Sequence, residues 1–262
     1  VLNDNRSSND SGNDCAVSST TQDASVSISV FFPCYNEQDN IARVVDQALA
    51  VLERLGVEFE IIIVDDGSQD TTGQIADEIA SRNKSVTVVH HPTNLGYGAA
   101  LRSGFRAATK EFVFYTDGDG QFDITEMPPL LPLMDDYDIV SCYRLNRQDN
   151  LLRRINGWCW TKFVCWLFGM NIRDIDCAFK LYKKKVFDSM ALSSSGALID
   201  AEILARATSR GYRVTQKGVH HYPRVAGAQT GANLRVIFRA FKELFRVYGQ
   251  IRKEDKNATA KK

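Results

Sequence analysis

The chain has 262 residues, 44% of them apolar, which is enough to bury a substantial core; disorder throughout is excluded, and one large α/β domain or two small ones are allowed. Its 32 Lys and Arg cancel 32 Asp and Glu, so it is not built mainly to coat nucleic acid, and no nucleic-acid partner is expected. Six cysteines without a C-x-x-C pair argue against both a zinc site and a disulfide framework.

In chain order, residues 1–24 are rich in Ser, Asn, Asp and Thr and have almost nothing to bury, so they read as a disordered tail. Apolar β-branched runs then alternate with helix-period segments. Strands are expected over 26–32, 59–64 and 86–89 and helices over 40–55 and 71–82, a βαβαβ opening. A helix near 99–109 leads to a strand over 112–116, and after a Pro-bearing helix a further strand is expected over 138–142. Continuous apolar strands joined by crossover helices indicate a mostly parallel sheet flanked by helices. The pattern then loosens into an aromatic and basic segment, followed by a helix over 196–209, a short strand near 212–219 and a helix from 232 to about 248. The expected division is a tail over 1–24, one domain over 25–230, and a basic helix and tail over 231–262.

The chemistry concentrates at strand ends, where ligands of open α/β sheets bind. The run TDGDGQFD places Asp117, Asp119, Gln121 and Asp123 directly after an apolar strand. Carboxylates alternating with glycines can aim oxygens at one divalent cation while a diphosphate approaches closely, although an ordinary Asp/Gly-rich turn has the same composition. IIIVDDGSQDT puts Asp65 and Asp66 at a second strand end, with Ser68 or Asp70 available to cap the next helix. FFPCYNEQDN brings Pro33, Tyr35, Asn36 and Glu37 to the same edge; a Tyr face and a carboxylate acceptor suit a base and a ribose. The glycines of NLGYGAALRSG do not fit G-x-G-x-x-G and follow the third strand, so a tight turn with close helix packing is preferred over a dinucleotide site.

Seven motifs in order, FFPCYNE, VDDGSQDT, NLGYGAALRSG, YTDGDGQFD, DIDCAFKLY, LIDAEILARA and VHHYPR, resemble family 2 of the inverting glycosyltransferases, especially the polyprenol-phosphate mannose and glucose synthases, from about residue 27 to 231. The resemblance implies a GT-A nucleotide-sugar-binding fold. It further implies that Pro33, Tyr35, Glu37 and Asp66, with Asp117, hold the donor, and that Asp117, Asp119 and Gln121 hold Mg2+ or Mn2+ and the diphosphate. DGDGQFD departs from the bulkier D-A-D-L-Q-H-type run of close relatives, which leaves donor preference open. The implied reaction moves a sugar from a nucleotide diphosphate sugar to a lipid-linked phosphate, with Asp119 at the reacting centre.

A phosphate nucleophile needs cations beside an anionic donor. The resemblance points to Arg144, Lys180 and Arg224 for this, out of a set that also holds Arg147, Arg153 and Arg154. For Lys183, Lys184 and Lys185 a solvated face is preferred. Were the acceptor a saccharide hydroxyl instead, Asp200 or Glu202 would be the natural base; one residue apart, they do not share a helix face, and for a phosphate acceptor they would orient donor hydroxyls, anchor an arginine or cap the helix. A non-catalytic sugar-nucleotide-binding protein is the third alternative. His220 and His221 are read as a polar strand terminus or a contact to the diphosphate, and not as metal ligands.

Residues 144–185 carry ten basic and three acidic residues, and 234–262 carry nine and three. With Trp158, Trp160, Phe163, Trp166 and Phe168 on one predicted helix beside Arg153, Arg154 and Lys162, these stretches suit a headgroup boundary, aided by Arg235, Arg239, Lys242 and Arg246. No basic, apolar leader opens the sequence, and the aromatic run is broken by Lys162 and too short to span a bilayer. The expected location is therefore cytoplasmic, peripheral at the cytosolic face of a membrane.

Overall fold

A computed structural model describes residues 26–145, 151–188, 190–224 and 234–259. The tail expected at 1–24, Arg147 and the final three residues lie outside the described residues, as do the side chains of Arg153, Arg235 and Arg239.

Four apolar runs become the parallel half of the sheet: β1 (Ser27–Cys34), β2 (Glu58–Asp65), β3 (Val86–His90) and β4 (Phe112–Thr116), in the order β3-β2-β1-β4. Crossovers are made by α1 (Ile41–Leu55), α2 (Thr72–Arg82) and α3 (Tyr97–Ala107). The centres of β1, β2 and β4 are continuous apolar runs because both faces are covered there. Phe31 joins one core with Phe105, Tyr115 and Tyr182, while its neighbour Phe32 points into the other with Val45, Ile63 and Phe114. The buried stripe Ile41, Val44, Val45, Ala48, Val51 and Leu52 fixes the face that α1 turns to the sheet, and Gly56 ends the helix at φ 65°.

The Pro-bearing helix expected before residue 138 is two short 3-10 turns, Ile124–Glu126 and Pro128–Met134. Pro128, Pro129 and Pro132 lack the N–H groups an α-helix there would need. The chain continues through β5 (Ile139–Ser141), β6 (Tyr143–Leu145), α4 (Leu151–Phe168) and β7 (Phe179–Lys183). It then runs through α5 (Ile199–Ser209), β8 (Val214–Thr215), β9 (Gly218–His220) and α6 (Leu234–Thr259). The full sheet order is β3-β2-β1-β4-β7-β5-β8, with β7 antiparallel to β4 and β5; β6 and β9 form a separate parallel pair. The single strand expected near 212–219 is thus divided between two sheets.

The aromatic set on α4 also divides. Trp160 and Phe163 pack on Phe241 of α6, with ring centroids 5.4 and 5.9 Å apart, whereas Trp158 and Trp166 are 60% and 77% exposed. Among the described residues, no helix is long and apolar enough to cross a membrane.

Candidate functional site

The site is built from the segments that follow β1, β2, β3 and β4, together with the turn that precedes β7. Because β7 runs antiparallel to β4 and pairs Phe179 with Thr116, the residues before Phe179 reach the same edge as those after Thr116.

The turn after β1 is latched to the one after β2. Asn36 occupies the left-handed region at φ 56°, which Asn tolerates better than most residues. Its N–H donates to the Ser68 hydroxyl (3.0 Å), and its Oδ1 accepts from Gln69 N–H (2.8 Å). The Glu37 N–H donates to Thr72 Oγ1 (2.8 Å). The latch leaves Tyr35 exposed at the rim, with Pro33 buried beneath. Glu37 is buried, accepting from Asn40 Nδ2 (2.8 Å) and from the guanidinium of Arg224. Arg224 is thereby drawn to the foot of this turn from the far end of the chain.

Asp66, expected to touch the nucleoside, is buried and braces the loop after β3. It accepts from the Leu95 and Gly96 N–H groups (2.9 Å each) and lies 2.6 Å from His91 Nδ1, whose Nε2 lies 2.8 Å from the Ser103 hydroxyl. Asp65 does the same for Ser68 N–H (3.0 Å) and His90 Nδ1 (3.1 Å). The two carboxylates shape the wall of the site rather than opening into it.

After β4, Asp117 accepts from the Tyr97 hydroxyl (3.1 Å), and Asp119 accepts from the Gln121 N–H (3.0 Å). Burial pushes Asp117 up to about 8, with the Asp119 charge adding to the rise and the Tyr97 bond opposing it. Burial also raises Asp119, against the pull of the Gln121 N–H and Arg224. Gln121 Nε2 donates to the Tyr222 carbonyl (3.0 Å), and Tyr222 N–H donates back to the Gln121 carbonyl (2.9 Å), so the segment carrying Arg224 is bonded to the carboxylate loop. Two desolvated carboxylates and an amide are hard oxygen donors, a set that fits Mg2+ or Mn2+. Among the described residues no group of three or more His, Cys, Asp or Glu is arranged to hold a metal, so other ligands would have to complete the coordination. Gly118 keeps the approach narrow, since a Cβ there would lie 2.6 Å from Cys34 Sγ.

Beneath this edge, three expected residues are committed to one another or to the backbone. Lys180, expected to meet an acceptor phosphate, has no exposure. Its ammonium donates to Asp200 Oδ1 (2.7 Å), Tyr115 Oη (3.1 Å) and the carbonyls of Ile175 (3.1 Å) and Cys177 (2.5 Å). It therefore does not reach an acceptor. Asp200, expected as a base, is buried as the partner of that ammonium and accepts from Tyr115 as well. Glu202, the other expected base, accepts from the Ser193 and Ser194 N–H groups (3.1 and 2.8 Å) and from Arg206 Nε (3.0 Å). Both oxygens are engaged by these groups, and Glu202 anchors the buried guanidinium of Arg206. Arg144 makes a two-pronged bond to Asp174 (2.7 and 2.8 Å) beside the turn before β7.

Sequence reasoning missed Tyr97 and Asp176. Tyr97 lies between the glycines of NLGYGAA, and Asp176 lies in DIDCAFKLY with no local pattern that singles it out from Asp174. Burial pushes Asp176 up to about 6, with Asp174 and Asp200 adding to the rise.

The undecaprenyl-phosphate 4-deoxy-4-formamido-L-arabinose transferase of Pseudomonas fluorescens (strain SBW25) is 31% identical over 216 residues, 82% of this chain; the chain spans 62% of that relative's length. Glucosyl-3-phosphoglycerate synthase from Mycobacterium tuberculosis, in complex with Mn2+, UDP and glucosyl-3-phosphoglycerate, superposes with a TM-score of 0.65 at 17% identity, over 87% of this chain and 80% of that one. Mannosyl-3-phosphoglycerate synthase from Rubrobacter xylanophilus gives 0.66 at 15% identity, over 88% and 75%. These two share the fold. The Glycosyl transferase family 2 profile matches residues 29–195, from β1 past the carboxylate loop and the turn before β7. A match of that extent, on a sheet shared with GT-A glycosyltransferases, means that the chain belongs to glycosyl transferase family 2.

Proposed function

We propose that the protein transfers a sugar, with inversion, from a nucleoside diphosphate sugar to a polyprenyl phosphate, with Mg2+ or Mn2+ as cofactor. The observation that carries this reading is the pair of half-buried carboxylates, Asp117 and Asp119, at the carboxyl end of β4, with Arg224 acting on Asp119. The relative that acts on undecaprenyl phosphate supports the acceptor class.

A bound divalent cation would neutralise the diphosphate as it departs. The protein's part is to hold the pieces. Tyr97 orients Asp117, and the Gln121 N–H orients Asp119. The exposed ring of Tyr35 offers a face to the base, and the loop braced by Asp66 closes the wall. Arg224, partly buried and ion-paired with Glu37 beside the carboxylate loop, is the remaining candidate for the acceptor phosphate, since Arg144 is committed to Asp174. A phosphate is already ionised at neutral pH and needs no strong base, which agrees with Asp200 and Glu202 both being engaged elsewhere. For a lipid acceptor the cleft must lie at a membrane surface. Ile155, Trp158 and Trp166 on α4 and Phe241 and Phe245 on α6 are exposed beside Arg154, Lys162, Lys242 and Arg246, which supports peripheral attachment to a cytosolic leaflet.

The test is incubation with Mg2+ or Mn2+, a panel of labelled nucleotide sugars, and undecaprenyl or dolichyl phosphate, followed by organic extraction. Label should enter the organic phase with wild type, and disappear with chelator and with Asp117→Asn or Asp119→Asn proteins that melt as wild type does. Label that reaches only a water-soluble saccharide would refute the acceptor assignment.

A further inference from the structure

The turn at 174–178 is held from three directions. On one flank Asp174 is clamped by Arg144. From below, the Lys180 ammonium binds the carbonyls on either side of Asp176, those of Ile175 and Cys177. On the other flank Asp200 is bound to the same ammonium. Such fixation is more than a surface turn requires, and it lies at the sheet edge that carries Asp117 and Asp119.

At the crest of the turn stands Asp176. Its two acidic neighbours are each matched by a cation, Asp174 by Arg144 and Asp200 by Lys180. Asp176 itself makes no hydrogen bond or ion pair among the described residues, yet it is only partly exposed. A largely desolvated carboxylate without a partner is unfavourable, and folded proteins keep few of them. The nearby cations being matched, the crest presents an uncompensated negative charge. It repels a phosphate and accepts from neutral O–H donors.

Given the proposed function, we infer that Asp176 recognises the donor sugar: its carboxylate accepts hydrogen bonds from hydroxyl groups of the sugar ring when the diphosphate is seated on the Asp117–Asp119 edge. Lys180 is then a positioning residue, setting the height and direction of the turn.

The experiment is calorimetric titration of wild type and Asp176→Asn, with Mn2+ present, against UDP and UDP-glucose and against GDP and GDP-mannose. Asparagine keeps the size and breaks no bond seen in the structure; melting curves verify the fold, and Asp176→Glu serves as a second variant. For the sugar nucleotide that wild type binds, Asp176→Asn should lose roughly ten- to a hundredfold in affinity, as expected for bonds to a charged acceptor, and less than twofold for the matching free diphosphate. Equal losses for both ligands, or no loss for either, would overturn the inference. So would a fall in turnover with sugar-nucleotide affinity intact. Wild type that binds none of the four ligands would defeat the proposed function, and the inference with it; wild type that binds them while the variant matches it defeats the inference alone.

Discussion

Replacing Lys180 with methionine removes a buried cation while nearly preserving its volume, so the change is electrostatic rather than one of packing. Asp200 would lose its ammonium partner at 2.7 Å and keep only the hydrogen bond from Tyr115. The carbonyls of Ile175 and Cys177 would lose a donor as well. Breaking a buried pair from one side costs about 3–5 kcal/mol, and the surviving Tyr115 bond returns part of this, so about 3 kcal/mol is expected. In a domain of this size that lowers Tm by roughly 6–12 °C. Urea unfolding at neutral pH should show the loss in the midpoint with an unchanged slope. Adding Asp200→Asn to Lys180→Met removes the stranded charge, and the double variant should be more stable than Lys180→Met alone, giving a coupling energy of about 2 kcal/mol in the cycle. A Lys180→Met protein within about 1 kcal/mol of wild type, or strictly additive substitutions, would refute the buried-pair account.

Gly67 has φ 69°, and a Cβ there would stand 2.7 Å from the backbone at Thr93 and Asn94; Gly67→Ala should destabilise by about 2–4 kcal/mol and weaken nucleoside diphosphate binding, both measurable by thermal shift. His90 is raised above 6.5 chiefly by its bond to Asp77, with burial opposing and Asp65 assisting. The raised folded value means that its contribution is full below pH 6.5 and fades as pH climbs through the folded pKa, so the Tm gap between wild type and His90→Asn should be widest below pH 6.5 and shrink above it. Trp158→Ser with Trp166→Ser should weaken co-sedimentation with anionic liposomes, the remaining binding falling with salt; undiminished binding by the folded double variant would remove α4 from the membrane surface.

The parallel half of the sheet was legible because its strands centre on apolar, β-branched or aromatic runs with turn residues after them, and local pattern suffices for such strands. β7 was not. Phe-Lys-Leu-Tyr-Lys alternates a charge into a buried position, and Asp200 with the acceptors at Tyr115, Ile175 and Cys177, all brought in by the fold, makes that lysine tolerable inside. The same dependence on distant partners decides what several expected site residues touch. Asp66, Lys180 and Glu202 stand in motifs where a ligand contact is the natural reading, yet each is engaged by protein groups from other elements. Asp117 and Asp119 stand out in the sequence as candidate ligands because two carboxylates spaced by glycine at a strand end have few structural partners within local reach. Arg224 came from the resemblance, and its geometry beside Glu37 joins segments 187 residues apart.

The antiparallel insertion of β7 also bears on how the chain is made. One of its ladder pairs with β4, Tyr115 and Lys180, is separated by 65 residues, so β4 is synthesised well before the strand that covers its free edge. During that interval Phe-Val-Phe-Tyr-Thr presents an apolar, uncharged edge of the kind that recruits other strands. A ribosome stalled between these two points would release a nascent chain with a finished β3-β2-β1-β4 sheet and an open seam, the species for which a chaperone has most to do.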